Sequence, residues 1–379
     1  VLAGPWAAQT LADLGADVIK VEHPDLPDET RTWGPPFWHQ HSTYYLSCNR
    51  GKRALSLDLK HPEGRTVLDR LLRGSDIVIE NFRTSSLDEI GMKSARLHQV
   101  NPQLVICSIS GFGRTGPLAD VPGYDFVIQG LSGMMAKNGP KDGDPCKFGV
   151  AIADLMTGQT VTVAALAGLQ YRRQYGHGIH ADIALADCAV AGMANVVQAF
   201  LATGQEPARQ GNEHMQIVPY QAFQTTDGWI IVAVGNDRQW RSYCAAIERP
   251  DLAADPELAT NEMRVRHRER LTKDLTAHMV TQTTAWWLER LQNSHVPAGK
   301  VQTFGELFSS PLAAERRYRV QFRDNAGHEV DLMSSPLVGQ DVAKIFPPDP
   351  GAHSDEILGD VAGCSAAEIA HLRDLGVVR

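Results

Sequence analysis

Between Lys60 and Ile109 the chain alternates two hydrophobic periods in strict order, and this restricts the fold more than any other feature. Apolar residues at helical spacing over 61–74 give way to the extended run from Asp76 to Glu80. A turn from Asn81 to Ser86 leads into a second helical stretch over 87–99, and the extended run from Leu104 to Ile109 follows. Strand, helix and strand in this order need a crossover connection, which in a single sheet makes the strands parallel. The expected fold class is therefore α/β, with helices covering a doubly wound parallel sheet.

The flanking sequence extends the pattern. Gly4-Pro5-Trp6 followed by Ala7 to Leu14 reads as a helix with Pro near its start, and Ala16 to Glu22 as a short buried strand. A parallel sheet would want a further strand before that helix, upstream of Val1. Phe148 to Ala153 is expected to be a strand running into a helix from about Leu155 to Tyr175, stopped by Gly176-His177-Gly178, with extended structure again at Ile179 to Ile183. The texture changes near residue 205. Tyr220 to Val234 alternates around Asp227-Gly228, a strong hairpin signal. Helical segments are expected at Asp237 to Arg249, Glu262 to Thr281 and Thr284 to Asn293. A second hairpin is centred on Asn325-Ala326-Gly327, and a last helix lies near Ala366 to Leu375. The expected domains are a large one from residues 1–205 and 318–379 and a smaller α+β one from 206–317.

Charge removes several function classes. With 36 Lys and Arg against 44 Asp and Glu, the net charge is -8, so no global basic field exists for nucleic acid or an acidic membrane surface. The uninterrupted apolar runs fall short of the roughly 20 residues of a membrane span. The six cysteines are scattered without a C-x-x-C pair, which fits reduced thiols in a cytoplasmic compartment. His39 with His41, and His177 with His180, have no carboxylate or thiolate partner at ligand spacing, so no metal is expected.

Three features carry candidate chemistry. Gly111-Phe112-Gly113-Arg114-Thr115-Gly116 has the form of a dinucleotide fingerprint, but Pro117 and Pro122 follow where the fingerprint requires a helix. A glycine-rich turn is expected there, and no NAD or flavin. Asp154 lies where an extended run meets a helix. Read alone it is either an N-cap or a carboxylate nucleophile at the carboxyl end of a strand, where α/β folds bind ligands. Arg50, Lys52, Arg53, Lys60 and Arg83 form a basic set able either to grip phosphates or simply to be solvated.

Several of these stretches together resemble the class III CoA-transferases, the family that includes formyl-CoA transferase and carnitine CoA-transferase. The resemblance rests on Ala3-Gly4-Pro5 with Leu11 to Glu22, Asn49-Arg50-Gly51-Lys52-Arg53, Leu57-Asp58-Leu59-Lys60 and Glu80-Asn81-Phe82-Arg83. It continues through Ser110 to Gly113, Thr115-Gly116-Pro117, Pro122-Gly123-Tyr124-Asp125, Ala153-Asp154 with Thr157-Gly158, and His353 to Leu358. It implies an interlocked homodimer, each chain with a Rossmann-like large domain and a smaller domain, acting on acyl-CoA and carboxylic acid substrates. The family's catalytic Asp maps onto Asp154. Leu57, Lys60, Asn81, Phe82 and Arg83 would surround coenzyme A, with Tyr124 and Asp125 beside the reacting carbonyl. Backbone N–H groups at the start of the Asp154 helix would steady an oxyanion. Glu89 stands where formyl-CoA transferase has a basic residue, which shifts phosphate binding toward Arg83.

The alternative on the same fold is a 2-methylacyl-CoA racemase. That reaction needs a second base, a His where this chain has Tyr124, and Tyr is a poor base at neutral pH. The run of glycines of formyl-CoA transferase has no counterpart between Gly204 and Tyr220, and the stretch from Gly211 to Phe223, with Asp227-Gly228, is similar to the succinyl-CoA-dependent dicarboxylate transferases.

Overall fold

The computed structural model describes residues 1–337 and 344–379. They form two compact units: unit 1 is Val1–Met135, Lys147–Gln205 and Ala313–Arg379, and unit 2 is Ala136–Cys146 with Glu206–Leu312. Ala136–Cys146, expected in the large domain, sides with unit 2 because Arg209 donates to the carbonyls of Pro140 and Gly143.

Unit 1 opens with helix α1 (Ala3–Asp13) and strand β1 (Val18–Glu22), which pairs in parallel with β2 (Lys52–Ser56). Helix α2 (Pro62–Gly74) has Pro in its first turn and a cap from the His61 ring, and it buries Val67, Leu68, Leu71 and Leu72 along one stripe. Strand β3 (Ile77–Glu80), helix α3 (Ser94–Val100) and strand β4 (Val105–Ser110) complete the predicted alternation. The second helix is shorter than the expected 87–99, because the chain turns through Gly91 at φ 71° first. Next come α4 (Asp125–Leu131), α5 (Ile152–Tyr175), β5 (His180–Ala184), α6 (Leu185–Gly192) and α7 (Ala194–Thr203). Strands β3, β4 and β5 are parallel neighbours, with Glu80 opposite Ser108 and Ser108 opposite Asp182. The fold is thus mixed α/β with parallel sheets. Its parallel strands form two ladders, β1–β2 and β3–β4–β5, where one doubly wound sheet was expected.

One face of the three-stranded ladder is apolar. Val105, Cys107, Ile109 and Ile183 pack there with Ala7 and Leu11 of α1 and with Val161 and Ala165 of α5. Helix α5 is long and apolar enough to span a membrane by length and composition, a property the uninterrupted runs did not suggest. In unit 1 its small residues lie against neighbours. A Cβ on Gly158 would stand 2.8 Å from the Ala3 carbonyl oxygen, so this glycine, one turn after Asp154, lets α1 and α5 touch.

Two expectations fail here. No strand forms over Phe148 to Ala153; the helix starts within that apolar run, at Ile152, and Phe148 is held by its N–H to Gln129. Three members of the basic set are structural. Arg50 is buried against Asp13, Arg53 pairs with Asp17 and Glu356, and fully buried Lys52 donates to Pro5 O, Cys48 O and Asn49 Oδ1 at 2.7–2.9 Å. Each ties separate chain segments together, Arg50 and Arg53 through carboxylates and Lys52 through neutral oxygens that occupy its buried ammonium.

Unit 2 holds an antiparallel sheet of β6 (Tyr220–Gln224), β7 (Trp229–Ala233) and β8 (Ala298–Lys300). Asp227, in the predicted turn, accepts from the backbone and hydroxyl of Thr284 and from Thr225. Phe223, Ile230, Val232, Trp240 and Trp287 fill the core, which puts Trp287 of the Trp286-Trp287 pair in packing. The expected helix Glu262 to Thr281 is two helices, Asn261–Arg266 and Arg268–Met279.

Candidate active site

A cavity of about 300 Å³ opens in unit 1 at the carboxyl ends of β3 and β4, the edge where parallel sheets place ligands. Asn81, Phe82, Arg83 and Thr84 form one wall. The chain from Ser110 to Gly111 and from Ala119 to Tyr124 forms another, and Asp154 projects from the first turn of α5. The two walls are tied together: Thr84 Oγ1 donates to Ala119 O at 3.2 Å, and Ser85 N donates to Asp120 Oδ1 at 3.1 Å. Gly111 and Gly123 meet backbone to backbone within the second wall; a Cβ on Gly123 would lie 2.5 Å from the Gly111 Cα, so any side chain here would push the two segments of that wall apart.

Asp154 is not the N-cap of its helix. Ala151 holds that position without a side-chain bond, and Asp125, from α4, caps the helix from outside. Its Oδ1 accepts from Ala153 N at 2.8 Å and Asp154 N at 3.3 Å, and its Oδ2 accepts from Gln129 Nε2 at 2.7 Å. Two consequences follow. The Asp154 carboxylate takes no hydrogen bond among the described residues, so it is not spent on capping. The amides expected to steady an oxyanion are already occupied by Asp125. Burial first, and the Asp125 charge second, push Asp154 up from 3.8 to about 6, since both disfavour its ionised form.

The sequence profile of CoA-transferase family III matches residues 1–354. The chain belongs to CoA-transferase family III. It is 41% identical over 374 residues to the succinate–glutarate CoA-transferase of Agrobacterium fabrum, covering 95% of this chain and 92% of that one. It is 36% identical to the human succinyl-CoA:glutarate CoA-transferase, over all of this chain and 87% of that one. Among solved structures it is similar to a CAIB/BAIF family protein from Brucella suis, with a TM-score of 0.82, 40% identity and coverage of 95% and 96% of the two chains. The chain is accordingly a transferase whose substrates are CoA thioesters and carboxylic acids.

Of the residues expected at the site of this transferase, the cavity gathers Asp154, Tyr124, Asn81, Phe82 and Arg83. Asp125 stands behind Asp154 as its cap. Leu57 and Lys60 do not line the cavity. The Leu57 side chain is buried in the core with Leu55, Val67 and Val377, and exposed Lys60 pairs with Glu89 at 3.0 Å. Glu89, the departure noted in the sequence, is thus paired with Lys60, while Arg83 forms no ion pair among the described residues.

Three further residues escaped sequence reading. Glu29 and Arg114 line the cavity. The Tyr44 hydroxyl is held protonated by burial and, next, by the Asp154 charge, and its ring packs edge-on against Trp33 at 5.0 Å. Glu29, Trp33 and Tyr44 come from a segment of short, irregular elements between β1 and β2, where no periodicity singles out any side chain. Arg114 was hidden inside the glycine motif, which folds as a turn with Gly113 and Gly116 at φ 92° and 88°.

Proposed function

We propose that this family III transferase moves CoA from succinyl-CoA to a dicarboxylic acid, with Asp154 as the covalent nucleophile. The observation that carries this reading is a carboxylate without a hydrogen bond among the described residues, not needed as a cap, in one cavity with Asn81, Phe82, Arg83 and Tyr124. The substrate class follows the relatives named above, which act on succinate or succinyl-CoA and glutarate.

An Asp154 oxygen attacks the thioester carbonyl, the C–S bond breaks, and CoA thiolate leaves an acyl-aspartyl anhydride. The thiolate then attacks the aspartyl carbonyl, the C–O bond to the first acid breaks, and succinate departs from an aspartyl-CoA thioester. The acceptor carboxylate attacks this thioester and again releases thiolate. Attack of that thiolate on the acceptor acyl carbon yields the new acyl-CoA and regenerates Asp154. No proton is consumed and no water enters, so the thioester energy is conserved. The upward push on Asp154 suits this role, because a carboxylate titrating near 6 is ionised at neutral pH yet more nucleophilic than an ordinary one.

In this reading unit 1 is the Rossmann-like CoA-binding domain and the chain works as an interlocked homodimer. Support for a partner comes from exposed apolar residues: α7 buries none of its residues, and Val163 of α5 and Leu131 of α4 are 67% and 68% exposed. The six free cysteines support a reducing, cytoplasmic compartment.

The test is turnover with succinyl-CoA and a panel of acids, with hydroxylamine present to trap the aspartyl thioester. A hydroxamate at Asp154, and loss of several orders of magnitude in rate for Asp154→Ala with CoA binding retained, are expected. Uptake of deuterium at the α-carbon of a 2-methylacyl-CoA without an acceptor acid would refute the reading in favour of racemisation.

A further inference from the structure

Arg114 joins all three strands of the parallel ladder where they meet the cavity. Its Nη2 contacts both Glu80 oxygens, at 2.7 and 2.9 Å, and Ile109 O at 3.1 Å. Its Nη1 donates to Phe82 O and reaches Thr84 Oγ1 at 3.4 Å. Its own backbone N–H donates to Asp182 Oδ2 on β5 at 2.9 Å. Glu80 completes the arrangement by accepting from Phe82 N at 3.0 Å. The backbone of Phe82 is thus gripped on both sides, its N–H by the carboxylate and its C=O by the guanidinium of one buried ion pair.

We propose that Arg114 is the positioning residue that sets the CoA-facing wall of the cavity, the Asn81-Phe82-Arg83 segment. The proposal rests on reading this cavity as the CoA site. The segment follows β3 with no further strand pairing of its own, so its aim depends on side-chain ties, and most of these converge on Arg114 and Glu80. The guanidinium suits the task because its planar fork serves a carboxylate and two strand-end carbonyls at once; an ammonium is a point donor without that geometry. The orientation is held even though Nε is buried without a hydrogen-bond partner among the described residues. In the absence of the fork, Phe82 and Arg83 would still be present but no longer fixed for binding.

The role is separable from a purely structural one by three variants. Arg114→Lys keeps the cation beside Glu80, so the melting temperature should stay close to that of the parent, while KM for acyl-CoA rises about tenfold or more and kcat at saturating acyl-CoA changes little. Arg114→Gln strands the Glu80 charge and should lower both stability and CoA affinity. In Glu80→Gln/Arg114→Gln the stranded charge is gone, so stability should return, but glutamine is too short to reach Phe82 O, and CoA affinity measured by calorimetry should stay weak. An unchanged KM in Arg114→Lys, a fall in kcat without a change in KM, or recovery of CoA affinity together with stability in the double variant would overturn the proposal. Parent protein that fails to bind CoA would instead overturn the assignment of the cavity, and the proposal with it.

Discussion

The substitution Asp125→Asn isolates what the external cap does for the nucleophile. Asparagine caps a helix as well as aspartate does, so its carbonyl oxygen can take the place of Oδ1 and keep both bonds, to Ala153 N and Asp154 N. Its NH2 then replaces Oδ2 and faces Gln129 Nε2, donor against donor, where a 2.7 Å bond stood. Gln129 has no easy escape, because turning its amide would break the bond from Phe148 N to Oε1 at 2.9 Å. One hydrogen bond to a charged group is lost, a cost of roughly 2 kcal/mol, or about 4–8 °C in melting temperature for a unit of this size.

The larger effect is on acidity. Burial and the Asp125 charge together hold Asp154 near 6, from an ordinary 3.8. Transfer requires the ionised carboxylate, so for the parent kcat/KM should be flat above about pH 7 and fall as the pH drops through about 6. Asp125→Asn removes the second cause and leaves the first. The acidic midpoint should move down by roughly one unit and remain above 3.8, since burial persists. The assay is the pH dependence of kcat/KM for succinyl-CoA, paired with the yield of the Asp154 hydroxamate at each pH. A midpoint that stays in place or moves to higher pH would refute the electrostatic argument; a changed melting temperature with an unchanged midpoint would reduce Asp125 to a cap.

Two further outcomes follow. Because the pKa of Asp154 is raised on folding, its contribution to stability is fully present below about 3.8 and is lost as the pH rises through about 6. Asp154→Asn should therefore melt higher than the parent at pH 8, by up to about 3 kcal/mol, and show little gain at pH 4; calorimetry at the two pH values checks this, and equal melting temperatures at pH 8 would contradict it. Charge at the exposed apolar residues Val163 and Leu131, as in Val163→Glu or Leu131→Glu, should keep the proposed dimer from assembling as the chain folds, so that the expressed variants run as monomers in light scattering; variants that still assemble as dimers would move the interface elsewhere.

The parts of the fold visible in the sequence are those set by local periodicity and turn chemistry. The β3–α3–β4 alternation, the Asp227-Gly228 hairpin and the Gly176 stop after α5 all depend on neighbours in the chain. The start of α5 was misread because its cap is not local. Sequence rules look for a capping side chain adjacent to the first turn, whereas Asp125 lies 28 residues before the Ala153 amide it serves. With the cap out of view, the apolar residues before Asp154 read as a strand, and Asp154 itself, by position alone, reads as the cap.

The same physics explains why position alone leaves Asp154 open between cap and nucleophile, so that only the family resemblance singles it out, and why the residues around it were only partly placed. Its motif, Ala153-Asp154 with Thr157-Gly158, records packing needs: Gly158 is demanded by the approach of Ala3, 155 positions away in the chain, and Ala153 is fully buried one residue before Asp154. The basic residues carry no such record. A lysine or arginine looks identical in sequence whether it ends in water, in a phosphate site or in the core, and its fate is decided by acceptors far away in the chain. Lys52 meets Pro5 O, 47 positions distant, Arg50 meets Asp13, and Arg53 meets Glu356. Arg83 forms no ion pair at the cavity among the described residues, while Glu80, three residues before it, is committed to Arg114. The cation left to meet an anionic ligand is thus defined by the ion pairs its neighbours have formed, and that selection is made only when β3 and β4 come together.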